Sequence, residues 1–237
     1  MNQDDFYFET EANEFFDRWQ ANGGSASRSS LRENKKSILS VLESCLSLKG
    51  LSVLEVGCFI GDLLYVLQRD YFCNVYGVEA SSKACELSSE VFELTLEHSS
   101  FLSSSMFTLD ESTRARFDLI IFDDVLSWMD RKIILQVLGV ADWALKPKGS
   151  IFIRDFTPSF CFAYENHHQR GHGVYNFKHS HGHRSFFLQS GMYYERYSRV
   201  YKDASLQQVS TSRPDSMTWA DTLLTKSNEH LFPILEM

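Results

Sequence analysis

The sequence predicts an α/β domain: a mostly parallel central sheet with helices on both faces and an antiparallel hairpin at its C-terminal edge. Three observations lead there. Short apolar runs alternate with helix-period stretches through the first two thirds of the chain, as parallel strands joined by crossover helices require. One of those runs, Phe117-Asp118-Leu119-Ile120-Ile121-Phe122, is almost continuously apolar, the pattern of a strand covered on both faces. The last two strand-like runs, near Met192–Tyr201 and Thr218–Lys226, have no clear helix-length pattern between them, so they can pair antiparallel at the sheet edge.

Each element follows in order. The N-terminal stretch MNQDDFYFETEANEFFDRW is acidic and aromatic-rich, and Gly23-Gly24-Ser25-Ala26-Ser27 sets it off as an arm. Leu31, Ile38, Val41, Leu42 and Cys45 mark one face of a helix over Leu31–Leu48, which Gly50 stops. Ser52–Gly57 is a strand, and Gly61-Asp62 leads into a helix carrying Leu63, Leu64 and Leu67. Asn74–Glu79 is a second strand, and Ser81-Ser82 caps a helix through Cys85 and Leu87. Strand and helix patterns compete over Val91–Ser105. The apolar strand at Phe117–Phe122 ends at Asp123-Asp124, and a helix from about Asp130 to Leu145 follows. Lys146-Pro147-Lys148-Gly149 closes that helix, and the strand Ser150–Ile153 ends at Arg154-Asp155.

A chain of 237 residues, 43% hydrophobic, can bury one sizeable core, so a single domain is expected over residues 1–237. The net charge of −8 disfavours nucleic acid as a partner, since a protein tracking a polyanion would need a basic patch against its own field. Five widely spaced cysteines with no CxxC pair suit buried thiols in a reducing compartment. The N-terminus has no basic segment followed by an apolar run, and no run approaches the ~18 apolar residues of a membrane span. The expected location is the cytoplasm, with no membrane partner.

In open α/β sheets ligands sit beyond the carboxyl ends of the strands. The glycines of Gly57-Cys58-Phe59-Ile60-Gly61 let a ligand approach the first strand-to-helix turn. Glu79 ends the second strand, where an acid can accept both hydrogen bonds of a ribose diol. Together they point to an adenosine-containing ligand.

The segments VLEVGCFIGDLL, VYGVEAS, FDLIIFDDVL and LKPKGSIFIRDF resemble, in this order, the motifs of class I S-adenosylmethionine-dependent methyltransferases. The resemblance covers about residues 50–156 and extends to the C-terminal hairpin. It implies the Rossmann-like fold of that family and S-adenosylmethionine as cofactor. By the resemblance, Gly57, Cys58 and Gly61 line the methionine portion, Glu55 supports it through water, and Glu79 with its neighbour Ala80 meets the ribose. Ser100 and Phe101 stand where the family meets the adenine, and Asp123, Asp124 and Val125 flank the cofactor facing the methyl group. Two departures stand out: Phe59 replaces the middle glycine of the turn, and Ser100 replaces the adenine aspartate. The chain then divides into an arm or lid and helix (1–49), a cofactor-binding core (50–156), an acceptor-binding insertion (157–191) and a hairpin with tail (192–237).

Asn166–Arg184 holds six of the eight histidines, with Arg170, Lys178 and Arg184, and aromatic residues interleave with them. Such a set suits a small anionic or polyhydroxylated acceptor, such as a sugar, a sugar nucleotide or a phosphorylated metabolite. Methyl transfer to a hydroxyl needs a base, and His167 or His168, oriented by Asp155 at the preceding strand end, is the candidate. A metal site is the competing reading of these histidines, but carboxylates that would orient ligating imidazoles are scarce there, so none is expected. In the arm, Phe15, Phe16 and Trp19 form an apolar cluster suited to a lid, and Arg32 with Lys35 is placed to approach a carboxylate. The other readings are an RNA or protein methyltransferase, a non-catalytic S-adenosylmethionine binder, and an NAD-dependent oxidoreductase, whose GxGxxG turn GCFIG does not supply.

Overall fold

The computed structural model describes residues 3–106, 108–202 and 218–227. Seven strands form one sheet: β1 (Ser52–Val56), β2 (Asn74–Glu79), β3 (Glu97–His98), β4 (Phe117–Asp123), β5 (Leu145–Phe156), β8 (Tyr193–Lys202) and β9 (Thr218–Lys226). Their order is β3-β2-β1-β4-β5-β9-β8, with β9 antiparallel to both β5 and β8 and the rest parallel. The mostly parallel sheet with an antiparallel C-terminal edge is therefore as expected. The link 203–217 within the hairpin, and the tail beyond 227, lie outside the described residues.

The core has one half on each face of the sheet, because successive strand residues point to opposite sides. On β4, Leu119 and Ile121 meet α4 (Lys36–Cys45) and α5 (Asp62–Tyr71) through Ile38, Leu42, Leu63 and Leu67. Ile120 and Phe122 pack instead with Val137, Leu138 and Ala141 of α7 (Ile134–Ala144). These residues are all but inaccessible, and burying such a side chain contributes about 1.5–3 kcal/mol each.

Several elements differ from the expected ones. The helix from Leu31 breaks at Lys35 into α3 (Leu31–Asn34) and α4, with Lys35 near the bridge region at φ −97°, ψ 7°. The LysProLysGly stretch does not end a helix: α7 stops at Ala144, and those residues are already the irregular start of β5, where pairing with β4 shifts register. The ambiguous stretch resolves into α6 (Ser82–Phe92), the two-residue β3 and a 3₁₀ turn at Phe101–Ser103. In α6 the Ser81 hydroxyl caps Ala84 N–H at 3.1 Å, as its sequence implied.

The arm is helical: α1 (Gln3–Phe6), a π turn (Tyr7–Glu11) and α2 (Ala12–Ala21) run on without a break. The long connection after β5 also has structure, namely the antiparallel pair β6 (Phe162–Glu165) and β7 (Tyr175–Lys178), then α8 (Arg184–Gln189). No helix among the described residues is long and apolar enough to cross a membrane.

Candidate active site

A cavity of about 720 Å³ opens over the carboxyl ends of β1, β2 and β4. Its floor is made of Glu55, Gly57 and Cys58 from the first turn, and its flanks of Glu79 and Ala80, Ser100 and Phe101, and Asp123, Asp124 and Val125. Ten of the eleven residues assigned to a cofactor by sequence thus share one wall. Gly61 does not: it caps α5 at φ +70°, and a Cβ there would touch Leu94 and Ser88, away from the cavity.

The turn after β1 demands left-handed backbone at Gly57 (φ +70°), Phe59 (φ +51°) and Gly61. A Cβ on Gly57 would stand 2.7 Å from Val125 Cγ2, so the turn from β4 can close over this one only because residue 57 is glycine. Phe59 sits in the same region without that freedom, a cost of order 1 kcal/mol or more. Its ring offsets this by packing edge-on against Phe15 and Trp19 of α2, at 5.5 and 5.1 Å between centroids. The residue that replaces a glycine is thus the arm's point of contact with the turn.

Glu79 is 7% exposed and accepts the N–H of Phe59 and of Ser81, each at 2.8 Å, one on each oxygen. Burial raises its carboxyl above the ordinary range, against the lowering by those N–H groups. Glu55 lies on the same face of the sheet, two residues before the turn, and its carboxyl is raised well above the ordinary range, first by burial, with Lys35 opposing. Its Oε2 finds no hydrogen-bond donor among the described residues. The Lys35 ammonium, brought into the wall by the break between α3 and α4, lies 3.1 Å from Asp62 and 4.0 Å from Asp123. Arg32, expected beside it, instead pairs on the surface with Asp70 at 3.0 Å and Glu43 at 2.8 Å.

Behind Asp124 lies a second group of buried charges. Asp124 itself is left-handed (φ +55°), and its Oδ1 is buried without a donor among the described residues. Lys178 of β7, 2% exposed, holds its ammonium 3.0 Å from the centre of the Phe156 ring and 3.3 Å from Ser127 Oγ. Burial brings its pKa down to about 8, opposed by Asp155 and Asp124. Asp155 is buried as well, and its carboxyl stays below the ordinary range because His183 and Lys178 outweigh the effect of burial. His183 Nδ1 stands 2.9 Å from Asp155 Oδ2, within ion-pair reach but out of line for a hydrogen bond.

The histidines therefore split into groups. His167 and His168 line the cavity from its solvent-exposed side, their rings 3.8 Å apart. His168 is lowered by burial and by His167. His172 stacks on Phe6, while His179 packs edge-on against His183 at 4.6 Å, with a pKa brought down to about 4 by burial. Asp155 does not orient the pair at 167–168 as expected: it lies outside the cavity wall and faces His183, because the β6–β7 hairpin folds back and α8 returns that imidazole to the end of β5. Among the described residues no group of three or more His, Cys, Asp or Glu is arranged to hold a metal ion.

The arm roofs the site. Asp4, Tyr7, Phe8, Glu11, Phe15, Arg18 and Trp19 line the cavity, a face that the apolar cluster alone did not reveal. Gln3 bonds Tyr175 through both main-chain groups, its Nε2 to the carbonyl at 2.7 Å and its Oε1 from the N–H at 2.9 Å. Glu11, 2% exposed, accepts from Arg18 at 2.5 Å, Gln169 at 2.5 Å and Asn166 at 3.3 Å. Asp17 reaches Lys83 at 2.6 Å, and Asn13 accepts from Ser81 at 2.8 Å. Arm, insertion and α6 thus close on one another around the cavity. Phe16 points away from the cavity into the core. The signal for the polar face was the helical spacing of residues 4, 7, 11 and 18.

The family model for a methyltransferase domain matches residues 27–193. The chain belongs to the S-adenosylmethionine-dependent methyltransferases. Solved methyltransferases share its fold. Magnesium protoporphyrin IX methyltransferase of Synechocystis PCC 6803, with bound S-adenosylmethionine, superposes with a TM-score of 0.62 at 15% identity, covering 96% of this chain and 98% of that one. The 1,6-didemethyltoxoflavin-N1-methyltransferase of Burkholderia thailandensis, with its namesake compound and S-adenosylhomocysteine, gives 0.61 at 15% identity over 93% and 86%. A methyltransferase of Archaeoglobus fulgidus gives 0.57 at 15% identity over 90% and 99%. No curated protein matches the sequence significantly.

The cavity of this methyltransferase fits the family's cofactor. Gly57 lets the turns after β1 and β4 close together beneath the cavity, Glu79 has a lone pair left on each oxygen for a ribose diol, and Glu55 Oε2 is a buried acceptor without a donor among the described residues.

Proposed function

We propose that the protein transfers the methyl group of S-adenosylmethionine, in line, to a small polar acceptor enclosed between the strand ends and the arm, and that His167 or His168 takes the proton the acceptor loses. The observation that carries this reading is the shared wall of one cavity: the strand-end residues lie on one side, and the arm with His167 and His168 on the other. Its volume lies within the ~300–1,000 Å³ of small-molecule sites.

When bound, S-adenosylmethionine supplies an electrophilic methyl group on a positively charged sulfur. The residues do the rest. Glu79 holds the ribose, Gly57 and Cys58 carry the methionine portion with Glu55 behind it, and Ala80, Ser100 and Phe101 meet the adenine side. Asp123, Asp124 and Val125 border the place where the methyl group leaves. The arm excludes water and fixes the acceptor, which is where most of the rate advantage of an in-line displacement arises. An imidazole at the exposed end of the cavity can pass its proton on to solvent.

The anionic acceptor suggested by the basic residues of the insertion has less support. Arg184 pairs with Glu195 at 3.0 Å, Lys178 lies behind the wall, and Arg170 is exposed outside it. The test is incubation with methyl-labelled S-adenosylmethionine and separate small-molecule, RNA and protein fractions. Label is expected in the small-molecule fraction; label in RNA or protein instead would refute the acceptor class.

A further inference from the structure

We propose that the acceptor is an amine, bound in its ammonium form by Asp124 and Asp4 in the part of the cavity that Tyr7 and Trp128 also line; this rests on the methyltransferase reading above. The argument is one of charge matching. Seven carboxyl side chains line the cavity against two permanent cations, Arg18 and Lys35. Both cations are already engaged, Arg18 with Glu11 at 2.5 Å and Lys35 with Asp62 at 3.1 Å. Glu79 is occupied by main-chain N–H groups, as described, and Glu55 lies on the Lys35 side. Asp123 stands 4.0 Å from Lys35 and 3.9 Å from Arg154, which leaves Asp4 and Asp124. The first accepts one long main-chain bond, from Asp130 N–H at 3.4 Å. The second has an oxygen with no donor among the described residues, and the lysine behind it is shared with Asp155.

An anionic acceptor would enter this field and find no uncommitted cation among the described lining residues. An ammonium group would meet two carboxyl groups and form charge-assisted hydrogen bonds. Aromatic side chains supply the second observation, independent of the acids: Tyr7 and Trp128 line the same space, and aromatic rings attract a desolvated cation. The titration of the wall agrees in direction. Burial first, then neighbouring acids, raise Asp124 far above the carboxylate range and Asp4 to about 6. Burial, Glu79, Glu11 and Asp124 likewise hold the Tyr7 hydroxyl in its protonated form. Burial is the larger cause in both, so a cation brought beside either carboxyl would draw it back toward the ionised form.

The step balances. The ammonium gives one proton to the imidazole of His167 or His168, the freed nitrogen pair forms the N–CH₃ bond, and the S–CH₃ pair returns to sulfur. The sulfur becomes a neutral thioether as positive charge passes to nitrogen.

The test uses the full chain, methyl-labelled S-adenosylmethionine, and a small-molecule extract of the source cells split by ion exchange at pH 7 into basic, neutral and acidic fractions. Label is expected from the basic fraction at more than tenfold the level from the acidic one. Asp124→Asn should cut that transfer at least tenfold, read as kcat/KM for the acceptor at saturating S-adenosylmethionine. Transfer confined to the acidic or neutral fraction, transfer from none, or transfer indifferent to Asp124→Asn would each overturn the amine. Failure to bind S-adenosylmethionine at all would instead bring down the methyltransferase reading.

Discussion

The Glu79 carboxylate accepts the Phe59 N–H at 2.8 Å and so ties the end of β2 to the turn after β1. One side chain thereby shapes the floor of the cavity and keeps lone pairs for a ribose. Replacing Glu79 with Ala removes a charge-assisted pair of bonds to the cofactor. The expected loss in S-adenosylmethionine affinity is on the order of 2 kcal/mol with the circular dichroism spectrum retained. Titration calorimetry reads it, and unchanged affinity would remove Glu79 from the ribose.

The arm contacts the cavity along one helical face while the sheet keeps both halves of its own core. Deleting residues 1–22 should therefore impair turnover more than thermal stability, even though Ala12 and Phe16 are buried. Turnover and melting temperature, measured on the same preparation, decide it. A truncated chain that does not fold would make the arm part of the core and not a lid.

His167 and Asp155 are expected to fail in different ways. Gln in place of His167 or His168 keeps hydrogen bonding but not basicity, so one of the two variants should lose about a hundredfold in turnover with S-adenosylmethionine affinity intact. Asp155→Asn removes the buried partner of His183 and Lys178, and should cost about 3 kcal/mol or more in stability. Steady-state kinetics beside denaturant unfolding separates the two. If neither histidine variant slows the reaction, the proton goes elsewhere.

Asp4 gives a pH dependence of definite sign. Burial raises its pKa to about 6 in the folded chain, above the 3.8 of a free carboxyl, so the folded state holds the proton more tightly. Its contribution is favourable below about pH 4 and is lost as pH rises through about 6. Asp4→Asn should therefore melt above the parent at pH 7, and this advantage should disappear by pH 4. Melting curves at the two pH values check it; a variant that is less stable at pH 7 would contradict the sign. A residue that destabilises the fold while lining the cavity is what an acceptor-binding role would require.

The strand ends were legible in the sequence because topology alone sends the residues after β1, β2 and β4 to one place. Gly57, Glu79 and Asp124 could be read as neighbours without any knowledge of side-chain contacts. Lys35 was visible only as a possible carboxylate contact, since its position depends on a break within an otherwise periodic helix. Tyr7, Glu11 and Arg18 were hidden because the arm's apolar residues drew the reading while its polar face does the lining. Nearness in sequence favours His167 and His168 as partners of Asp155, but a hairpin and a short helix bring His183 to the end of β5 instead. Long-range folding of an insertion leaves no local signal of that kind.

The central claim is that the cofactor and a small acceptor share the cavity beneath the arm. A crystal structure of the complex with S-adenosylhomocysteine tests it most directly. The expected result is both ribose hydroxyls on Glu79, the amino-acid portion over Gly57, and the sulfur facing the space between Asp124 and His167. Density for the ligand outside this cavity, or a sulfur turned away from that space, would contradict the account.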